Sequence, residues 1–200
     1  MNYNTIEKNG RGEYKSRGSK FFSFSHSIDS IDGYRHLIAI YRKDFPESCH
    51  ICSAYRLLIG VRVDEQASDD GEPRGSAGQP ILNQLKRNNL INVATYVVRI
   101  FGGSLLGIGG LIEAYSSSAL LSIDDSKHVQ WKTVKQLSIS FSYEFEGIVN
   151  SILKEFNGKV SKKDFSDKIN IELSLDESAV HIFTERLKES SSNKINIVSI

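Results

Sequence analysis

Three carboxylates, Asp69, Asp70 and Glu72, fall within four residues in the run Ser68-Asp69-Asp70-Gly71-Glu72-Pro73. If a turn converges them, such a cluster can act as a general base or hold a hard cation. Asp-Gly and Glu-Pro are also ordinary turn chemistry, and both readings stand. Just beyond lies Gly75-Ser76-Ala77-Gly78, and later Gly102-Gly103-Ser104-Leu105-Leu106-Gly107-Ile108-Gly109-Gly110. A glycine-rich stretch that opens a helix presents free backbone N–H groups to an anion. Neither stretch is a nucleotide signature, because Ile108 follows Gly107 where a phosphate loop needs lysine, and neither reads G-x-G-x-x-G. Tight turns and close packing explain the glycines equally well.

Cys49-His50-Ile51-Cys52 has the spacing of a redox or zinc motif. On a strand the two thiols face opposite sides, while His50 and Cys52 share one. No second C-x-x-C completes a zinc site, so we assign no metal and no cofactor. Arg99 ends an apolar strand, where a guanidinium needs a carboxylate. Asp69, Asp70 and Glu72 are its candidate partners, and pairing would fix the acidic segment onto a sheet that an anionic ligand could also address.

Periodicity sets out the strands and helices that carry these groups. Gly18 to Phe24 predicts a strand. Tyr34, Leu37, Ile38, Tyr41 and Phe45 fall on one face of a helix over 29–44. Cys49 to Val63 predicts a strand and Asp64 to Gly78 a long loop. A helix then begins at Pro80, with Ser76 or Gly78 near its N-terminus. A β-branched strand runs over 91–100 and a helix from Leu111 to about Leu121. After a polar stretch over 123–134, the order is strand, helix, strand, strand, helix, strand, with Ile148, Val149, Ile152, Leu153 and Phe156 as one buried helix stripe. That βαββαβ order is the ferredoxin-like arrangement. The reading is therefore α+β with two domains, over 1–125 and 135–200.

An apolar share of 40% with 24% charged residues is that of a folded chain. The formal net charge of +1 argues against binding held mainly by counterion release. Any nucleic-acid contact is then local, and neither DNA nor a membrane surface is an expected partner. The polar stretch from Met1 to Lys20 lacks an apolar core for a secretory signal. With only two cysteines, the expectation is a cytoplasmic protein.

Several segments together resemble the YigZ/IMPACT family. They are Gly18-Ser19-Lys20-Phe21, His50-x-Cys52-x-Ala54-Tyr55, Ser68 to Pro73 with Gly75-x-Ala77-Gly78-x-Pro80-Ile81-Leu82, and Arg99-x-Phe101-Gly102-Gly103-x-x-Leu106-Gly107-x-Gly109-Gly110-Leu111 with Ala114-Tyr115. They span roughly 13–120. The resemblance implies an N-terminal α/β sandwich like the second domain of ribosomal protein S5, and a C-terminal ferredoxin-like domain. The pairing is similar to the last two domains of elongation factor G. It also implies a signature surface built from Lys20, His50, Cys52, Tyr55, Ser68, Asp69, Asp70, Gly71, Glu72, Pro73, Gly75, Ser76, Gly78, Arg99, Gly102, Gly103, Gly107, Gly109 and Gly110. Eukaryotic members are linked to control of translation initiation under amino-acid stress.

This chain departs from the family pattern in carrying Arg74 for serine, Ser76 for threonine, Ile100 for tyrosine, Leu105 for lysine, Ile108 for threonine and Glu113 for arginine. Two cations are thereby lost, about one unit of salt slope for each phosphate contact they would have made. The function expected is binding without catalysis, linked to translation through a protein or through ribosome or RNA contact. The alternative is a peptidase-like hydrolase using His50 with Asp69, Asp70 and Glu72. A further possibility is single-stranded nucleic-acid binding through Phe22 and Phe24.

Overall fold

A computed structural model describes residues 3–200; Met1 and Asn2, the start of the polar N-terminal stretch, lie outside the described residues. The chain divides into two compact units, Met1–Trp131 and Lys132–Ile200. Among the described residues no helix is long and apolar enough to cross a membrane.

In the first unit, β1 (Asn4–Lys8) and β7 (Lys127–Gln130) form a two-stranded antiparallel ribbon. The main sheet holds β2 (Gly10–Ser16), β3 (Ser19–Ser27), β4 (His50–Ile59), β5 (Arg62–Ser68) and β6 (Val93–Ile100), in the order β2-β3-β6-β4-β5. Every neighbouring pair is antiparallel. The helices are α1 (Ile31–Asp44), α2 (Gly78–Arg87) and α3 (Gly107–Asp125).

Side chains alternate across the sheet. Ile51, Tyr55, Ala94, Tyr96 and Val98 meet Tyr34 and Tyr41 of α1. Phe21, Cys52, Ala54, Val93 and Val97 meet Ile81 and Leu85 of α2 and Leu111, Ala114 and Tyr115 of α3. Helices therefore cover both faces. Phe22 and Phe24 belong to the α1 layer, where Phe22 stacks on Phe45 at 5.6 Å and Phe24 on Tyr41 at 4.5 Å. They are packed rings, not a stacking platform for bases.

Several expected boundaries move for physical reasons. The strand expected over 49–63 folds back at Gly60-Val61, so Arg62–Ser68 is an edge strand and the loop begins only after it. The solvent-facing edge lets β5 be polar, which hides it from a hydrophobicity pattern. Nor does the sequence pattern announce β2, because Gly10 and Gly12 stand where α3 leaves no room. A Cβ at Gly10 would lie 1.9 Å from the Ser122 carbonyl oxygen. We expect Gly10→Ala to cost about 1–3 kcal/mol through overpacking, read from the fluorescence of the single tryptophan, Trp131, in a urea titration. Gly147→Ala, which meets nothing within 4 Å, serves as the contrast. It should be neutral or stabilising by at most about 1 kcal/mol, read by hydrogen exchange in its helix.

The second unit runs β8 (Val134–Phe141), α4 (Glu146–Glu155), β9 (Lys159–Phe165), β10 (Ile169–Asp176), α5 (Val180–Ser191) and β11 (Asn196–Ser199). Its antiparallel sheet has the order β11-β8-β10-β9, a ferredoxin-like fold. Leu137, Ile139, Phe141, Ile171 and Leu173 pack against Val149, Ile152, Leu153, Phe183 and Leu187. Ile148 is exposed and lies off the stripe expected for it. The edge strand β9 keeps Lys159, Lys162 and Lys163 in water, charges that discourage pairing with another chain.

Candidate functional site

The acidic segment is held by its own carboxylates, each on a different anchor. Asp69 Oδ1 accepts from the backbone N–H of Ala77 at 3.0 Å and of Gly78 at 2.8 Å, and Oδ2 from Gly75 N–H at 2.7 Å. It therefore caps α2 from nine residues away. Ser76 and Gly78 do not fill that role, and the Ser76 hydroxyl instead donates to the Pro73 carbonyl at 2.6 Å. Burial alone would raise the Asp69 carboxyl. The N–H groups of Gly75, Gly78 and Ala77, with Arg74 nearby, outweigh it and hold the group below the ordinary carboxylate value.

Asp70 sits at positive φ (45°) before Gly71 (91°). Its carboxylate accepts from Arg42 of α1 at 2.9 and 3.1 Å and from Ile51 N–H at 2.6 Å. Its carbonyl accepts from His50 Nδ1–H at 2.7 Å, which fixes the ring's tautomer.

Glu72 is the buried member, 8% exposed. Its Oε1 accepts from Arg99 Nη1 at 2.6 Å and from the Tyr115 hydroxyl at 2.8 Å. Burial pushes the Tyr115 phenol far up, so it stays a neutral donor. The three carboxylates thus diverge to α2, to α1 and β4, and to β6 and α3. They do not converge on a cation, and among the described residues no group of three His, Cys, Asp or Glu side chains is placed to hold a metal.

Arg99 lies at the centre of a cross-strand row, opposite Phe21 on one side and His50 on the other. Its guanidinium is 5.6 Å from the centre of the Phe21 ring and 5.6 Å from that of Phe101. Nε is buried with no hydrogen-bond partner. Arg99, Glu72, His50, Cys49 and Pro73 line a cavity of about 400 Å³ whose other walls are Phe101, Leu105, Leu106, Gly107, Ile108 and Leu111. Segments 68–82 and 99–111 meet there.

The rest of the expected surface is elsewhere. Cys52 is fully buried, its thiol donates to the Asp69 carbonyl at 3.0 Å, and burial pushes that thiol well above its ordinary value, so it is inert. Tyr55 is on the α1 face, donating to Asp64 at 2.6 Å. Lys20 is exposed on β3, and Ser68 ends β5. Gly102 packs on Gly18 so closely that a Cβ would come within 1.9 Å of the Gly18 carbonyl carbon. Gly103 precedes the turn into α3 at positive φ. Gly109 and Gly110, with Gly107 of the cavity wall, are the first turn of α3 and not a loop.

Sequence reasoning passes over Arg42, and it names Phe101 and Tyr115 only within the family segments, not as site residues. Tyr115 had a usable signal, since it sits one helical turn beyond Leu111 and so faces the same way. Arg42, on an exposed helix face, had none.

A family model, the Impact N-terminal domain, matches residues 17–123. The IMPACT family member YvyE of Bacillus subtilis (strain 168) is 29% identical over 195 residues, covering 98% of this chain and 89% of its own. The IMPACT family member YigZ of Escherichia coli (strain K12) is 26% identical over 185 residues, covering 91% and 90%. A crystal structure of a hypothetical protein superposes with a TM-score of 0.70 at 23% identity, covering 100% of this chain and 97% of that one. That likeness gives the α+β fold. The match over more than half the sequence gives the kinship: the chain belongs to the YigZ/IMPACT family.

Proposed function

We propose that this chain is a cytoplasmic binding protein without catalysis of its own, acting in translation or its control under stress through contact with a protein or with ribosome and RNA. One observation carries the reading: the carboxylates that the hydrolase alternative would use, and the Nδ1 of His50, are engaged in holding the fold. His50 Nδ1 donates to a carbonyl, not to a carboxylate. Asp69 caps a helix, Asp70 takes Arg42, and Glu72 takes Arg99 and Tyr115. A hydrolase needs a nucleophile, a base within reach and a group that orients the base. The peptidase-like alternative would have to break these bonds to assemble one. Family membership supports the translation link, and the net charge of +1 keeps any RNA contact small and local.

Ribosome co-sedimentation at moderate salt, from growing and starved cells, tests the reading. Association that weakens with salt is expected. A chain that stays in the supernatant in every growth state overturns the ribosome arm of the reading and counts heavily against the whole.

A further inference from the structure

The cavity beside Arg99 is built for a ligand of definite chemistry. Arg99 is 6% exposed and lines it. A guanidinium offers five N–H donors; Nη1 is taken by Glu72, while Nε is buried without a partner. A buried donor left unmatched is costly, and natural structures rarely keep one without a use.

A second donor set opens on the same cavity. Gly107 and Ile108, which line it, begin the 19-residue α3. No side chain caps that helix and its first turn carries no acid. Its first N–H groups have no acceptor within the helix and carry the positive end of the dipole. Cβ atoms at Gly107 and Gly109 would meet nothing within 4 Å, so the backbone there is open to approach.

The remaining walls decide what kind of anion fits. Phe101, Leu105, Leu106, Ile108 and Leu111 are apolar, and Leu105 and Ile108 at the rim are 84% and 62% exposed. The ligand therefore carries an apolar body. Glu72, 2.6 Å from Nη1, already neutralises one charge and repels a second negative charge. That disfavours a phosphate dianion and suits a monoanion. A carboxylate is the anion that a guanidinium pairs with most readily, and Nη1 is the only Arg99 nitrogen that Glu72 takes. The volume of about 400 Å³ is that of a small-molecule pocket.

We propose that the cavity between Arg99 and the N-terminus of α3 binds the carboxylate of a small apolar monoacid. The same chemistry is offered by a free acid and by the carboxyl terminus of a peptide ending in an apolar residue. The inference rests on reading the chain as a binding protein and names the ligand class of that one site.

Two-dimensional NMR titration of the full chain tests it, following the backbone amides of 107–111. The probes are hexanoate, hexanamide, inorganic phosphate, and a leucine-ended tetrapeptide with a free or amidated terminus. Hexanoate, or the free-terminus peptide, should shift those amides and bind at least about tenfold tighter than its amide. The stronger of the two acids identifies the source. Phosphate should bind weakly. Ile108→Asp, a rim change that leaves the core intact, should weaken the acid about tenfold. Glu72→Gln, where it folds, should tighten it by a similar factor. Equal binding of acid and amide, shifts elsewhere only, or an Ile108→Asp protein as tight as the parent overturns the proposal. A chain that binds hexanoate but never sediments with ribosomes retires the ribosome arm of the translation reading and leaves this one standing.

Discussion

Replacing Glu72 by alanine lowers the unfolding free energy of the first unit by about 3–5 kcal/mol, the cost of leaving a buried charge without its partner. The side chains of Arg99 and Glu72 are 7% and 4% exposed, so water is a poor substitute for the lost carboxylate. Tyr115 loses its acceptor in the same step. Contrast Lys163 and Glu146, paired at 2.9 Å but 28% and 37% exposed. A pair in that setting is worth about 1 kcal/mol or less. Burial, not distance, separates the two.

The pair is not itself a large source of stability. Bringing both ions out of water offsets most of their attraction, and an apolar pair of similar volume can do as well. Glu72→Leu with Arg99→Met should therefore recover most of the stability that Glu72→Ala loses, although the cavity would no longer take an anion. Urea unfolding monitored through Trp131 measures all three proteins. If Glu72→Ala stays within about 1 kcal/mol of the parent, this charge does not lock the acidic loop to the sheet.

How much of this was legible in the residues depends on how local each signal is. The run Val93 to Ile100 is apolar and β-branched, and β6 is buried along almost its whole length. The need of Arg99 for a carboxylate is evident from one cation at the end of that run. Which acid it takes is not, because Asp69, Asp70 and Glu72 differ only in where the turn points them. Asp69 capping α2 is likewise unreadable from spacing, since the usual cap stands beside the first turn and not nine residues before it. The start of α3 misleads for another reason. Three glycines in four positions argue against helix, yet Gly107 takes positive φ to enter the turn, and Leu111, Ala114 and Tyr115 anchor the next turns in the core. Tertiary packing decides there. It also decides Gly10 and Gly12, whose missing side chains are the imprint of α3 and carry no strand signal. In the second unit the alternation of β10 is strict and its burial matches it residue by residue, so the pattern sufficed.

Asp69→Ala should destabilise the first unit by about 2–4 kcal/mol. Three backbone N–H groups lose a charged acceptor at once. One hydrogen bond to a charged group is worth about 1.5–3 kcal/mol and a helix cap about 0.5–2 kcal/mol; the bonds share one side chain and do not add. Asp69→Asn keeps an oxygen for Ala77 and Gly78 but turns an amide toward Gly75, so about 1–2 kcal/mol should go. The pH dependence separates charge from shape. The folded carboxyl lies below its ordinary value, so the native state binds fewer protons than the unfolded one and this contribution rises with pH. It is fully present above the unfolded value of about 3.9 and disappears as pH falls through the folded one. The gap between parent and Asp69→Asn should therefore be widest at neutral pH and close in acid. Urea midpoints taken through Trp131 between pH 7 and pH 3 measure it. A gap that does not change with pH would mean that Asp69 caps α2 by shape alone, with its charge doing nothing for the loop that carries Glu72 to Arg99.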